Sequence, residues 1–161
     1  MSSTVDLVVD NFAYHIEAIT TDKTKSKKGF EWFDDNRLNP EDTAGCTRWY
    51  NVQWLSEEPQ PEDDGVTDIT ERIANHQFQL DVLYPHEIEL KARQKMMLKD
   101  RHALIKKLRH HDNFVGYSAA QPSTDIGLWR RALLSVEALE EIEKTTTLRL
   151  TWECTIKESE I

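Results

Sequence analysis

The residues of this chain that could do chemistry are six histidines, two cysteines and several clusters of carboxylates. The densest group is His110-His111-Asp112. Neighbouring residues on a helix project about 100° apart, so adjacent histidines do not converge on one ion. At a helix C-terminus they serve instead as positive charge against the negative end of the macrodipole. His76 and His86 flank a strand-like stretch and have no cysteine or carboxylate beside them at zinc-ligand spacing, so they read as surface or edge histidines. Glu57-Glu58 and Glu62-Asp63-Asp64 could chelate a cation, but their spacing is not that of an EF-hand loop. They read as a solvated acidic loop. The sequence has no G-x-S-x-G, H-E-x-x-H or C-x-x-C and no glycine-rich phosphate loop. The expectation is a chain that is not an enzyme, with no catalytic residue, no bound metal and no cofactor.

The two cysteines differ in setting. Cys154 falls on the apolar face of a strand and reads as a small buried hydrophobe, whereas Cys46 lies in a polar stretch. Reduced thiols in a protein made in the cytoplasm are expected rather than a disulfide. With 161 residues, 39% hydrophobic and 30% charged, the chain is long enough for one domain, 1–161, with a sizeable core. No apolar run approaches the roughly 20 residues of a membrane span, and the N-terminus lacks a signal-peptide core. A net charge of −9, from 29 acids and 20 bases, opposes tight sequence-independent binding to nucleic acid.

The elements that must position these residues follow from periodicity. Val5, Val8, Val9, Phe12, Ile16 and Ile19 make a helical stripe over 4–19, with Ser3 or Thr4 as N-cap and Asp6 at the positive end of the dipole. Residues 20–46 have no period, yet carry Phe30, Trp32 and Phe33, too aromatic for plain disorder. These rings either fold back on the domain's own core or bury against another subunit. Residues 47–55 alternate, with Tyr50, Val52 and Trp54 on one face; 56–72 form an acidic, proline-containing loop; and 76–84 alternate again through Phe78, Leu80, Val82 and Tyr84 until Pro85. The two strands make a hairpin with a long negatively charged tip.

A second, longer helix is expected over about 87–110, with Leu90, Met97, Leu98, Arg101, Leu104, Ile105 and Leu108 along one side. Met97 belongs to the core and Met96 is partly exposed. A short edge strand is expected at 113–118. Another strand spans 128–136, with Leu128, Ala132, Leu134 and Val136 on one face; Leu139-Glu140-Glu141-Ile142-Glu143 suits a helix equally well, and the favoured reading continues the strand through 138–144 to a turn at Lys144-Thr145-Thr146. The last strand is the plainest: Leu148, Leu150, Trp152, Cys154 and Ile156 alternate strictly with polar residues. The order is α-β-β-α-β-β-β, an α+β fold with a mainly antiparallel sheet and both helices on one face.

The strand Phe78–Tyr84, the helix carrying Asp100-Arg101 and Ile105-x-x-Leu108, the segment Leu128–Val136 and the closing strand Leu148–Glu153 resemble the tail-terminator and head–tail joining proteins of long-tailed bacteriophages. The resemblance covers about residues 74–157 and rests on strand patterns and one helix motif. It implies a structural virion protein of the tail or neck, made in the host cytoplasm. Such proteins form a homo-oligomeric ring, a hexamer in most cases, that caps the tail tube and joins it to the head connector. The partners implied are other copies of the chain, tail-tube and connector proteins, with DNA passing through unbound and no membrane. An acidic composition suits that passage, since like charge along a lumen keeps a polyanion from sticking.

On this reading Phe30, Trp32 and Phe33 bury against a neighbouring subunit, because aromatics anchor interfaces. Glu57, Glu58, Glu62, Asp63 and Asp64 stay solvated near the channel. The competing readings are a small ligand-binding or enzymatic α+β domain with a pocket between sheet and helices, and a monomeric adaptor that binds a protein through residues 29–36.

Overall fold

The computed structural model describes residues 3–19, 29–33, 48–59, 71–140 and 145–159. Cys46, Glu62, Asp63 and Asp64, and most of the stretch 20–46, lie outside the described residues. Helix α1 is Thr4–Glu17. Ser3 caps it: its hydroxyl accepts from the Asp6 N–H at 3.1 Å, and the Asp6 carboxylate accepts from the Ser3 N–H at 3.3 Å, closing a capping box.

Five strands form one sheet in the order β1-β2-β3-β5-β4. β2 (Trp49–Pro59) pairs antiparallel with β3 (Glu71–Pro85), β3 with β5 (Thr145–Ser159), and β5 with β4 (Leu128–Glu140). β1, only Glu31–Trp32, runs parallel to the start of β2. Helix α2, Leu90–Arg109, carries the chain from β3 to β4, and β5 inserts between these two parallel strands. The result is a split β-α-β unit. The fold is α+β, as expected.

One face of the sheet carries the core. Leu148, Leu150, Trp152, Cys154 and Ile156 of β5 join Phe78, Leu80, Val82 and Tyr84 of β3 in a single buried cluster with Val8, Phe12 and Ile16 of α1 and Met97, Leu104 and Leu108 of α2. Both helices therefore cover the same face. Across the middle of the other face polar groups pair with one another: Arg149 donates to both Asp81 oxygens at 2.9 and 3.1 Å, and Thr155 donates to Asn75 Oδ1 at 2.7 Å. No described helix is long and apolar enough to cross a membrane.

Several sequence expectations are corrected. The order is α-β-β-β-α-β-β, because β1 arises inside the aperiodic stretch and the expected strand at 113–118 does not form. That segment is a 3-10 turn, His111–Asn113, followed by isolated bridges Val115↔Asp125 and Ser118↔Gln121. Its carbonyls at Asn113, Val115 and Gly116 receive the Asn11 side-chain amide instead of a neighbouring strand, and Gly116 has φ +83°. The buried arc of α2 runs through Arg93, Met96, Met97, Asp100, Leu104 and Leu108, so Met96 is buried while Leu90 and Leu98 are exposed. The arc includes Arg93 and Asp100, which the expected stripe skips, while Arg101, which the stripe includes, is exposed.

In β4, register shifts at Leu128/Arg130 and Leu133/Ser135 break the simple alternation. Leu128, Arg131, Leu133 and Val136 face Ile156, Cys154, Trp152 and Leu150, and Leu134 turns out to solvent. Both ends of the stretch expected as an acidic loop, 56–59 and 71–72, are strand. β2 extends to Pro59 and β3 begins at Glu71, which places Glu57 and Glu58 in a strand, and Trp54 is half exposed rather than in the core.

Candidate functional site

Three arrangements of polar or exposed side chains stand out from this framework. The first is structural. Arg48 and Tyr84 both donate to Oδ2 of Asp100 at 2.7 Å, so the start of β2, the end of β3 and the middle of α2 meet at one carboxylate. Burial raises the Asp100 pKa, against the pull of Arg48 and Tyr84, and burial with the Asp100 charge drives Tyr84 well up. Arg131 is equally buried: its guanidinium stacks 4.1 Å over the Phe12 ring and donates to the Leu108 carbonyl and to Asn11 Oδ1. Beside it, burial pushes the Cys154 thiol up to about 11, opposed by Arg131. The thiol is held in its neutral form, and two of the three guanidinium nitrogens donate within the core while Nε makes no hydrogen bond, so both groups serve packing rather than a nucleophile or a substrate hook.

The second arrangement lies along the two edges of the sheet. β4 has no strand on its outer side, and β1 covers only Trp49 and Tyr50 of β2, among the described residues. Each edge is interrupted by bulges, and each bulge carries an extra apolar residue. The shift at Trp54/Ser56 leaves Leu55 without a cross-strand partner; those in β4 do the same for Trp129 and Leu134. These side chains are exposed, at 44%, 54% and 48%. A bulge re-aims a side chain and blunts ladder pairing with another strand. The edges are thus closed to simple strand addition but present apolar anchors, with Trp54 next to Leu55 and Lys157 5.6 Å over the Trp129 ring.

The third arrangement is a histidine between two carboxylates. Glu57 on β2 is the cross-strand partner of His76 on β3, and Glu158 on β5 lies on the same face. His76 Nε2 is 3.8 Å from Glu57 Oε1 and 3.5 Å from Glu158 Oε1, while the half-exposed Trp54 donates its indole N–H to His76 Nδ1 at 3.0 Å. Burial lowers the His76 pKa, the two glutamates oppose that shift, and Arg72 adds to it. Neither His76 Nε2 nor Glu57 Oε1 has a hydrogen-bond partner, although Arg72 Nη2 stands 2.9 Å from that oxygen as an ion pair.

The residues singled out in the sequence distribute as follows. Phe30 packs within its own chain, buried against Tyr50 with ring centroids 6.4 Å apart. Trp32 meets the same tyrosine edge-on at 5.4 Å and, like Phe33, is half-buried. Glu57 turns toward His76 and Glu58 is exposed at the outer end of β2. His110 and His111 stack at 5.3 Å beyond the end of α2, exposed, with Asp112 at 3.6 and 3.0 Å. His86 is exposed and hydrogen-bonds Thr146 at 3.1 Å. Sequence reasoning missed the His76 cluster and the bulges. The strict register of β3 against β5 held the only signal for the cluster, since it places 76 and 158 on one face. No protein-family model matches the chain, and no curated protein matches it in sequence.

Proposed function

We propose that this chain is a structural assembly protein whose copies join head to tail in a ring, as in the phage tail-terminator and head–tail joining proteins that its C-terminal half resembles. One observation carries the reading: the bulges on two opposite sheet edges aim Leu55 from one side and Trp129 and Leu134 from the other. Two different apolar edges on one subunit suit a heterologous contact, in which one edge of each copy meets the other edge of the next. Such contacts generate a ring when the rotation closes. Tryptophan and leucine supply the anchors, and the half-buried Trp32 and Phe33 lie beside the start of β2, where they extend that edge.

The remaining surface fits the same role. Glu58 at the outer end of β2, with the acids that follow it in the sequence, supplies negative charge that DNA slides past without binding. The end product is a virion neck component, with tail-tube and connector proteins above and below the ring and a hexamer as the expected size. The test is solution mass over a concentration series. Several times 18.8 kDa supports the ring. A monomer across the whole series overturns it.

A further inference from the structure

We infer that Glu57, His76 and Glu158 form a binding site for a divalent first-row cation, zinc foremost, that clips β2, β3 and β5 together at one end of the sheet. The inference is independent of the ring. Its support is geometric. The Nε2 to carboxylate distances of 3.5 and 3.8 Å are too long for hydrogen bonds. Bonds of about 2.0–2.2 Å to a tetrahedral zinc set its ligand atoms about 3.3–3.6 Å apart. One contact already matches that edge and the other needs a shift of a few tenths of an ångström, while all three donor atoms lie within 4.8 Å of one another. His76 is 1% exposed, and its unpartnered Nε2 points into the gap between the carboxylates.

The donor set chooses the ion. One imidazole and two carboxylates suit zinc, and after it manganese or iron(II), whereas calcium and magnesium favour all-oxygen shells. The Glu57 and Glu158 side chains are 25% and 26% exposed, so the cluster borders solvent even though Glu57 Oε1 and His76 Nε2 are themselves buried, and a water can complete the shell from the carboxylate side.

Two neighbours must yield. In the present arrangement the Trp54 N–H donates to Nδ1, which puts the ring proton on Nε2. A cation takes the Nε2 lone pair, so the proton moves to Nδ1 and Trp54, itself half exposed, swings off. Arg72, whose side chain is 37% exposed, withdraws from Glu57 toward solvent as the ion replaces its charge. Binding is therefore reported by an indole.

The test titrates chelator-stripped, full-length protein with zinc chloride near pH 7.5, reading heat and tryptophan emission together. Glu57→Gln, Glu158→Gln, Trp54→Phe and the pair His110→Ala with His111→Ala are run alongside, with circular dichroism as the check on folding. The expected result is one ion per chain at this site, a change of emission that Trp54→Phe removes without removing the heat, and a loss of affinity of at least about tenfold in each glutamine variant. Both glutamates are partly exposed and glutamine keeps their shape, so these variants report on binding with the fold intact. The double alanine variant should bind as the parent does. Absence of binding, binding that survives both glutamine variants, or binding that disappears with His110 and His111 overturns the assignment.

Discussion

Arg48 donates from Nε to Oδ2 of Asp100 at 2.7 Å, and the two side chains are 1% and 5% exposed. Tyr84 donates to the same oxygen. A buried ion pair adds little net stability compared with a well-packed apolar substitute, but removing one partner strands the other charge in a low dielectric. Asp100→Ala should therefore cost about 3–5 kcal/mol in a denaturant titration, and Asp100→Asn less, since the amide oxygen still accepts from Tyr84. A loss of under about 1 kcal/mol for the alanine variant would mean that this carboxylate does not hold α2 to the sheet.

Trp152 is fully buried at the centre of β5, opposite Phe78 on β3 and Leu133 on β4, beneath both helices. Truncation to alanine opens a cavity that the surrounding leucines cannot fill without moving, so the expected loss is about 3–5 kcal/mol. The measurement is the midpoint of guanidinium unfolding with the slope held as a control. A surface-like loss below about half a kcal/mol would place the strand in the wrong register.

The contrast between β5 and β4 explains how much of the fold was legible. Strict alternation through Leu148, Leu150, Trp152, Cys154 and Ile156 reports a strand buried on one face, and the structure buries all five. β4 has a similar composition, but its two bulges reset the alternation, and nothing local in the sequence marks where an extra residue is inserted. The stripe expected on α2 takes in Arg101, which is exposed, and passes over Arg93 and Asp100 of the buried arc. Their partners, the Ile88 carbonyl and Arg48, are tertiary facts. The same holds for His76. Its carboxylates come from two other strands, and only knowledge of β2–β3 and β3–β5 pairing brings them together.

His15 and His76 give the fold a pH dependence. Both lie below the ordinary histidine value of 6.5, chiefly through burial. For His15 the Val115 carbonyl works against the shift while Arg131 and Lys107 add to it. The unfolded chain takes up protons near pH 6.5 while the folded chain still holds these rings neutral. In that window the unfolded state binds more protons, so stability rises with pH. It is full above 6.5 and declines as the pH falls from there toward the lowered folded values. Urea midpoints in metal-free buffer should drop between about pH 7.5 and pH 5.5. His15→Gln should show a shallower drop over the same interval. Equal slopes for the two proteins would remove His15 from the account.

The sharpest expectation concerns the two sheet edges. If the contact is head to tail, Leu55→Glu spoils one edge and Trp129→Glu with Leu134→Glu spoils the other. Each change sits at an exposed bulge, so the fold should be retained within about half a kcal/mol. Burying an unpaired carboxylate in the interface costs several kcal/mol, so either variant alone should lose the ring. Mixing the two variants leaves one good junction: the intact β4 edge of the first meets the intact β2 edge of the second. A one-to-one heterodimer that grows no further is then the expected species in native mass spectrometry. Trp32→Ala added to the partner that still offers its β2 edge should weaken that heterodimer if the half-buried ring extends the contact. A self-complementary interface built from β4 alone predicts something different, namely that Leu55→Glu still assembles as the parent does and that mixing yields no new species. That outcome would end the ring reading and leave the apolar bulges as one face of a two-fold dimer.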